Sequence, residues 1–335
     1  MTAPNRKIRW GVLGYARIAR DSVIPAIVQA ANSEFHALAS RDEAKLAEGR
    51  ARFPGLVKTY RGYEELLRDP AIDAVYIPLP NSLHREWTVK AAEHGKHILC
   101  EKPLALNAAE CREMTAACAA HNVVLMEAFM YRYTDRTRQV LGVLRSGVLG
   151  EIKCLSSTFR FPLTNAASIK WKPELGGGSL YDVGCYPVNF IGLVVDEIAR
   201  AAPGTVRPES VSAECVRTGG VDLIFSAAMK YSSGIVAALG SGFNAHRRVF
   251  SEIVGTKGVL EIPETYFGQA GALVLTTGDE RREIPVAASD RYLLEVEDFA
   301  DAVLGGRPPQ LGLAETLRNT EVIERLLADV STGAK

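Results

Sequence analysis

The sequence predicts an α/β protein with an N-terminal doubly wound parallel sheet over residues 1–128, followed over 129–335 by an α+β region with a large open, mostly antiparallel sheet. Three observations predict it. Short apolar runs alternate with helical spacing up to Glu127, the signature of parallel strands joined by right-handed helical crossovers. Beyond Glu127 the pattern changes to alternating runs without intervening helices: Ile152 to Phe161, Val211 to Val216, Asp222 to Tyr231, Gly234 to Gly240, Phe250 to Val254 and Gly258 to Ile262. At 335 residues the chain also exceeds the size at which a single core usually stops growing.

In order, Ile8 to Gly14 is a short apolar run ending in glycine, and helical spacing follows from Ile18 to about Ala31. Gly14-Tyr15-Ala16-Arg17-Ile18-Ala19 therefore occupies the place of a G-x-G-x-x-G dinucleotide turn, with alanine at the second and third glycine positions. The third alanine still permits close helix-to-strand packing, while the second holds a pyrophosphate slightly farther from the backbone. The next strand, Phe35 to Ser40, ends at Ser40-Arg41, where an NAD enzyme usually carries an acid for the ribose hydroxyl. Serine plus arginine suits a 2′-phosphate instead, with Lys45 adding charge one turn on. The plainer reading is that Ser40 or Asp42 caps a helix over 43–52, and both readings can hold together.

Ala74 to Ile77 runs into Pro78-Leu79-Pro80-Asn81, and a helix begins at Asn81 and His84. A histidine in that first turn has the ordinary reading of a cap or packing residue. Lys96 to Cys100 is the next strand and delivers Glu101-Lys102-Pro103 to the sheet's carboxyl edge, where open α/β sheets bind ligands. Pro103 fixes φ and lacks a backbone donor, so the chain turns at the lysine. A helix over 108–121 and the strand Val123 to Glu127 complete this region.

Phe129-Met-Tyr131-Arg132 leads into a helix that Gly147-x-x-Gly150 breaks. Between the first two long strands of the second region lies Lys170-Trp171-Lys172-Pro173, then Gly176-Gly177-Gly178, then Ser179 to Asn189. A helix from near Ser179 sets Asp182 and Tyr186 at i and i+4, on one face. The outer face of an open sheet needs a cover, which predicts a homodimer or homotetramer through that sheet.

Lys+Arg and Asp+Glu balance at 39 each, so no global field recruits nucleic acid or an anionic membrane. The start, Met1 to Lys7, has no apolar segment of a signal peptide, and no run reaches membrane-spanning length. Six cysteines without a CxxC pair read as reduced thiols of a cytoplasmic protein. His94-x-x-His97 with Cys100 is dispersed by strand alternation, so no metal is expected.

Taken together, the glycine turn at Gly14, Glu101-Lys102-Pro103, Glu127 to Arg132, Gly176 to Tyr186 and Gly255-Thr-Lys-Gly258 resemble the Gfo/Idh/MocA family of nicotinamide-dependent sugar and polyol oxidoreductases over nearly the whole chain. The resemblance implies a Rossmann-type first domain binding NADP(H), a substrate-binding and oligomerising second domain, and Lys102, Asp182 and Tyr186 as the catalytic group. Tyrosine at 186, where many members carry histidine, resembles the branch of glucose-fructose oxidoreductase, NADP xylose dehydrogenases, anhydrofructose reductases and dihydrodiol dehydrogenases. That branch implies a cis Lys102-Pro103 peptide. The family resemblance also implies a nicotinamide-side role for Trp171, with Lys172 replacing an arginine as a point charge. The cofactor-binding set is then Gly14, Tyr15, Ala16, Arg17, Ile18, Ser40, Arg41, Lys45, Pro78, Leu79, Asn81, His84, Glu101, Lys102, Trp171 and Lys172. The substrate set is Lys102, Tyr131, Arg132, Phe161, Asp182, Tyr186 and Asn189.

Oxidising a sugar hydroxyl requires a base for the O–H proton and an acceptor for the hydride. A tyrosine with an ordinary pKa near 10 needs a nearby cation such as Lys102 to stabilise its phenolate, and Asp182 orients the sugar's hydroxyls. These readings favour a freely exchanging NADP-dependent sugar dehydrogenase or reductase. The alternatives are an enzyme that retains NADP and shuttles hydride between two sugars, and a non-catalytic NADP-binding regulator.

Overall fold

The computed structural model describes residues 6–333, so residues 1–5, on which the expectation of no export signal partly rests, lie outside the described residues. The chain divides into two compact units. The first takes residues up to 105 together with 109–130 and 291–313, and the second takes 106–108, 131–290 and 314 onward.

In the first unit, β1 (Ile8–Leu13), β2 (Ser33–Ala39), β3 (Lys58–Tyr60), β4 (Ala74–Ile77), β5 (His97–Glu101) and β6 (Leu125–Ala128) form a sheet in the order β3-β2-β1-β4-β5-β6. Every pairing in it is parallel. The order reverses between β1 and β4, the switch point at which such sheets open a crevice for ligands. Their interior strands are apolar on both faces because helices cover both sides: β4 is buried at all its positions. The short β3 has no apolar run to announce it, and it exists through its pairing of Lys58, Thr59 and Tyr60 with Ala37, Leu38 and Ala39.

The helices of this unit are α1 (Ile24–Gln29), α2 (Glu43–Arg52), α3 (Tyr63–Leu67), α4 (His84–Glu93) and α5 (Ala108–Ala120), the last belonging to the unit from Ala109 on. In the second unit α6 (Asp135–Ser146) precedes β7 (Ile152–Arg160), and α7 (Cys185–Ala199) follows the triple glycine. Then α8 (Arg291–Gly305) returns to the first unit. There the Phe299 ring lies 5.0 Å from Trp10, and the Asn32 amide donates to the Glu297 carbonyl at 2.9 Å. Sequence periodicity puts residues 129–335 in the second region. It is α8 that groups with the first unit, whereas α9 (Leu313–Gly333) joins the second from Ala314 on, with Arg318 ion-paired to Asp196 of α7.

The second unit is built on an eight-stranded sheet, ordered β14-β13-β12-β11-β7-β10-β9-β8. Its remaining strands are β8 (Ser210–Thr218), β9 (Val221–Lys230), β10 (Val236–Gly242), β11 (Arg248–Gly255), β12 (Gly258–Pro263), β13 (Gly271–Thr277) and β14 (Glu280–Val286). Only β7 and β10 pair in parallel, so the sheet is mostly antiparallel, as the alternating runs predicted. Leu155, Phe225, Leu239, Ile253 and Leu260 are buried on its inner side, where α7 packs on β7 and is itself buried from Cys185 to Asp196. Cys154, Ser226, Ala228, Val236 and Ala238 are exposed at alternate positions.

Candidate active site

The first unit contains a dinucleotide cradle. β1 ends in Gly14, whose φ of +99° suits glycine and whose N–H donates to the Ala39 carbonyl at 2.8 Å. A side chain there would begin 3.1 Å from Leu79 Cδ2, so the turn brings bare backbone against the loop after β4. The helix that follows opens with a π turn over Ala19–Val23, a widening without a compositional signature. Ala19 is fully buried and lets this helix lie close to the sheet, while Ala16 and Ile18 stay half-buried and Arg17 exposed at its start. Tyr15 turns its side chain inward. Its ring is buried near Gly49 of α2, and burial raises the pKa of a hydroxyl that has no partner.

At the end of β2, Ser40 is buried and its hydroxyl accepts from the Asp42 N–H at 3.2 Å. Asp42 is the cap of α2, accepting from the Ala44 and Lys45 N–H groups. Arg41 and Lys45 are exposed and have no ion pair among the described residues, although Arg50 and Arg61 nearby both engage Glu43. A free guanidinium beside a buried serine hydroxyl fits a 2′-phosphate, and the side-chain-free turn at Gly14 fits a pyrophosphate; these residues suit a nicotinamide dinucleotide phosphate.

The loops after β4 and β5 are tied to one another. His84 is fully buried, with Nδ1 2.9 Å from the Pro103 carbonyl and Nε2 2.9 Å from the Leu79 carbonyl. Burial lowers its pKa, opposed by those carbonyls. Both ring nitrogens face protein, so His84 braces the edge rather than offering a contact of its own to a cofactor. Pro78 is buried, and Leu79 and Asn81 are half-buried. Glu101 accepts from the Tyr76 hydroxyl at 2.5 Å, and the Leu104 N–H donates to Glu127 at 2.9 Å. Lys102 is half-buried, and its peptide bond to Pro103 is cis. Glu295 of α8 was not singled out from sequence; burial, reinforced by the charge of Glu101, pushes its carboxyl well above the usual range.

The second unit contains a carboxylate, a phenol and a wall of rings. Asp182 sits in a π turn, Leu180–Gly184, that precedes α7. Tyr186 is 5% exposed, with its ring 5.1 Å from Tyr266, 5.4 Å from Phe159 and 6.0 Å from Tyr131. Phe161 is half-buried, 5.6 Å from Phe243, and Trp171 packs 5.5 Å from the same ring while its indole N–H donates to the Asn165 carbonyl. Lys172 is exposed and without an ion pair among the described residues.

Three residues expected at the substrate are inside the unit's core. Tyr131 is fully buried and donates to Asn189, itself fully buried. Arg132 is 7% exposed and pairs at 2.7 Å with Glu315 of α9, which makes it a core ion pair rather than a solvent-facing donor. The sequence offered no way to see Glu315 opposite Arg132. Lys170 was missed in the other direction: its ammonium lies 2.6 Å from Asp182, so the expected substrate carboxylate carries a partner of its own. Of the two histidines set aside as metal ligands, His97 accepts from the Val124 N–H through its ring and the His94 ring meets the Lys90 carbonyl. No cluster that could hold a metal and no helix long and apolar enough to cross a membrane occurs among the described residues.

A doubly wound sheet with a glycine turn and a free arginine after β2, in a chain whose second unit presents a carboxylate and a tyrosine before a ring wall, defines the class of nicotinamide-dependent oxidoreductases. The chain belongs to the Gfo/Idh/MocA oxidoreductase family. Residues 8–129 match the family's NAD-binding Rossmann fold and 137–261 match its C-terminal domain. It is 38% identical to D-xylose 1-dehydrogenase (NADP(+)) 2 of Haloferax volcanii over 97% of this chain and 98% of that protein. It is 34% identical to trans-1,2-dihydrobenzene-1,2-diol dehydrogenase of Xenopus laevis, over 79% and 78%. Among solved structures it resembles KijD10, a 3-ketoreductase from Actinomadura kijaniata in complex with NADP and TDP-benzene, with a TM-score of 0.89 and 28% identity over 97% and 98% of the two chains.

Proposed function

We propose that the protein is an NADP(H)-dependent sugar or polyol dehydrogenase/reductase in which Tyr186 exchanges the hydroxyl proton, Lys102 supports it and Asp182 orients the substrate. Bound NADP⁺ supplies the hydride acceptor for the carbon being oxidised. The observation that carries the cofactor choice is Arg41, left without an ion pair at the end of β2 where an acid would select NAD. The xylose dehydrogenase relative is named for NADP, and KijD10 was solved with NADP bound, which supports the same choice.

For the proton, Tyr186 offers a phenol at the N-terminal end of α7, four residues after Asp182. A phenol ionises near pH 10 in water, so work near neutrality requires a cation that favours the phenolate, the role this reading gives Lys102. KijD10 has also been solved with a lysine-to-alanine and with a tyrosine-to-phenylalanine substitution, each with TDP-benzene and NADP, which is in keeping with interest in such a pair. The exposed alternate positions of the large sheet suit a homodimer or homotetramer, tested by light scattering after gel filtration. The function is tested by NADP⁺ reduction against free aldoses, ketose-derived polyols, nucleotide sugars and trans-dihydrodiols. Turnover of at least one class, with NADP⁺ preferred over NAD⁺, is expected; tight NADPH binding without turnover of any class would favour a regulator instead.

A further inference from the structure

Asp222 belongs to none of the roles above, yet it grips the turn that carries Asp182. It lies near the start of β9, 5% exposed and without an ion pair among the described residues; the charged group that faces it is Arg217, its neighbour on β8. A buried carboxylate without a cation is costly unless hydrogen bonds satisfy it. Here two bonds fall on one oxygen: the Ser179 hydroxyl and the Leu180 N–H each donate to Asp222 Oδ2 at 2.7 Å. With the Ser179 proton spent on Asp222, the Ser241 hydroxyl of β10 donates to Ser179 at 2.9 Å. The other carboxylate oxygen faces Gly178, whose φ is +115° and where a side chain would begin 2.2 Å from Asp222 Oδ1. Only glycine fits there. The Gly178 carbonyl in turn accepts from the Asp182 N–H at 3.1 Å, and a side chain on Gly184, between Asp182 and Tyr186, would begin 3.1 Å from Ser241 Oγ. Two strands of the sheet thus hold the turn at both ends.

We propose that Asp222 is a positioning residue for Asp182 and Tyr186, anchoring through Oδ2 the π turn that carries the one and leads into the helix of the other. The proposal rests on the oxidoreductase reading above, because that chemistry is what makes the place of the turn matter. Reacting atoms must meet in near-attack geometry, and a misplacement of about 1 Å can cost on the order of a hundredfold in rate. The Leu180 N–H is one of the donors that a helix start leaves without an internal partner, and Asp222 supplies the acceptor from a different strand. Because a single oxygen takes both bonds, the role calls for an acceptor in that place rather than for a charge. The surroundings agree: burial raises the Asp222 carboxyl above the ordinary aspartate value, opposed by the bonds from Ser179 and Leu180.

The test compares wild type with Asp222→Ala, which removes the acceptor, and Asp222→Asn, whose amide oxygen can take both bonds. Kinetics use the polyol that wild type oxidises best, nicotinamide fluorescence reads NADPH affinity, and hydrogen exchange follows peptides spanning residues 178–186. Asp222→Ala should lose about 30- to 100-fold, most of it in kcat rather than KM, while binding NADPH as wild type does. Its exchange should quicken across 178–186. Asp222→Asn should recover kcat to within about fivefold of wild type, with exchange close to wild type. Wild-type kcat in Asp222→Ala, or equal losses in the alanine and asparagine variants, would overturn the proposal while leaving the oxidoreductase reading intact. Failure of wild type on every polyol would instead remove that reading and this one with it. Should Asp222→Ala not fold, Ser179→Ala deletes one of the two bonds and should show the same split between kcat and KM at about tenfold; no loss in it would overturn the proposal.

Discussion

Replacing Arg41 by alanine removes a guanidinium that the fold does not use. Arg41 is exposed and without an ion pair among the described residues, so its loss leaves no buried charge behind and should not change stability by more than about 0.5 kcal/mol. Its effect falls on the ligand. A charge-assisted hydrogen bond to a phosphate is worth about 1.5–3 kcal/mol, and solvent exposure favours the lower end, so NADPH should bind about 10- to 30-fold more weakly. NADH, which lacks the 2′-phosphate, should be affected less than about twofold. The contrast should shrink at high salt, because an exposed charge pair is screened over about 10 Å at 0.1 M and about 3 Å at 1 M. Titrating both cofactors by fluorescence at low and high salt reads all three quantities. Arg61→Ala is the control, since Arg61 is already engaged with Glu43. If Arg41→Ala weakened NADPH and NADH equally, or left NADPH unchanged, the 2′-phosphate assignment would be refuted.

Two further outcomes concern residues the fold has drawn inward. Arg132→Met should destabilise the protein by about 3–5 kcal/mol in urea denaturation, because it strands the Glu315 carboxylate, 2% exposed, without its cation; adding Glu315→Leu should restore most of the loss. If the double variant were as unstable as the single one, the ion pair would not be the cause. His84 has a folded pKa lowered by burial below its ordinary 6.5, so the unfolded chain binds the proton more readily. Its contribution is therefore intact above about pH 6.5 and declines as pH falls from there toward the folded pKa. Denaturation midpoints should drop across that interval, and His84→Gln should flatten the slope; an unchanged slope would count against the tie between Leu79 and Pro103.

The parallel sheet was legible because its strands are buried on both faces and so read as apolar runs broken by glycine and proline. β3 escaped because it is three residues long with no apolar run, held by pairing with β2 and by Asp69, which accepts from Lys58 and Tyr60. The glycine turn, Ser40-Arg41 and Lys102 were legible because their positions follow from strand ends, which sequence periodicity locates well. Arg132, Tyr131 and Asn189 looked like ligand contacts because polar side chains near a presumed pocket carry no sign of what faces them. Their partners, Glu315 for Arg132 and each other for Tyr131 and Asn189, lie far along the chain. Lys170 was hidden for the same reason. The three glycines marked a close approach, but only the structure says that the backbone approached is that of Lys170. Neither π turn has a compositional signature, and one of them carries Asp182.

The central claim is that Tyr186 moves the proton with the help of Lys102. It is tested most directly by the kcat of wild type, Tyr186→Phe, Lys102→Ala and the double variant on one aldose, with NADPH affinity measured alongside. The account predicts that each single variant loses at least about a hundredfold in kcat while still binding NADPH, and that the double variant is scarcely worse than either, as for groups acting as a unit. Near-normal turnover by Tyr186→Phe, or losses that multiply in the double variant, would contradict it.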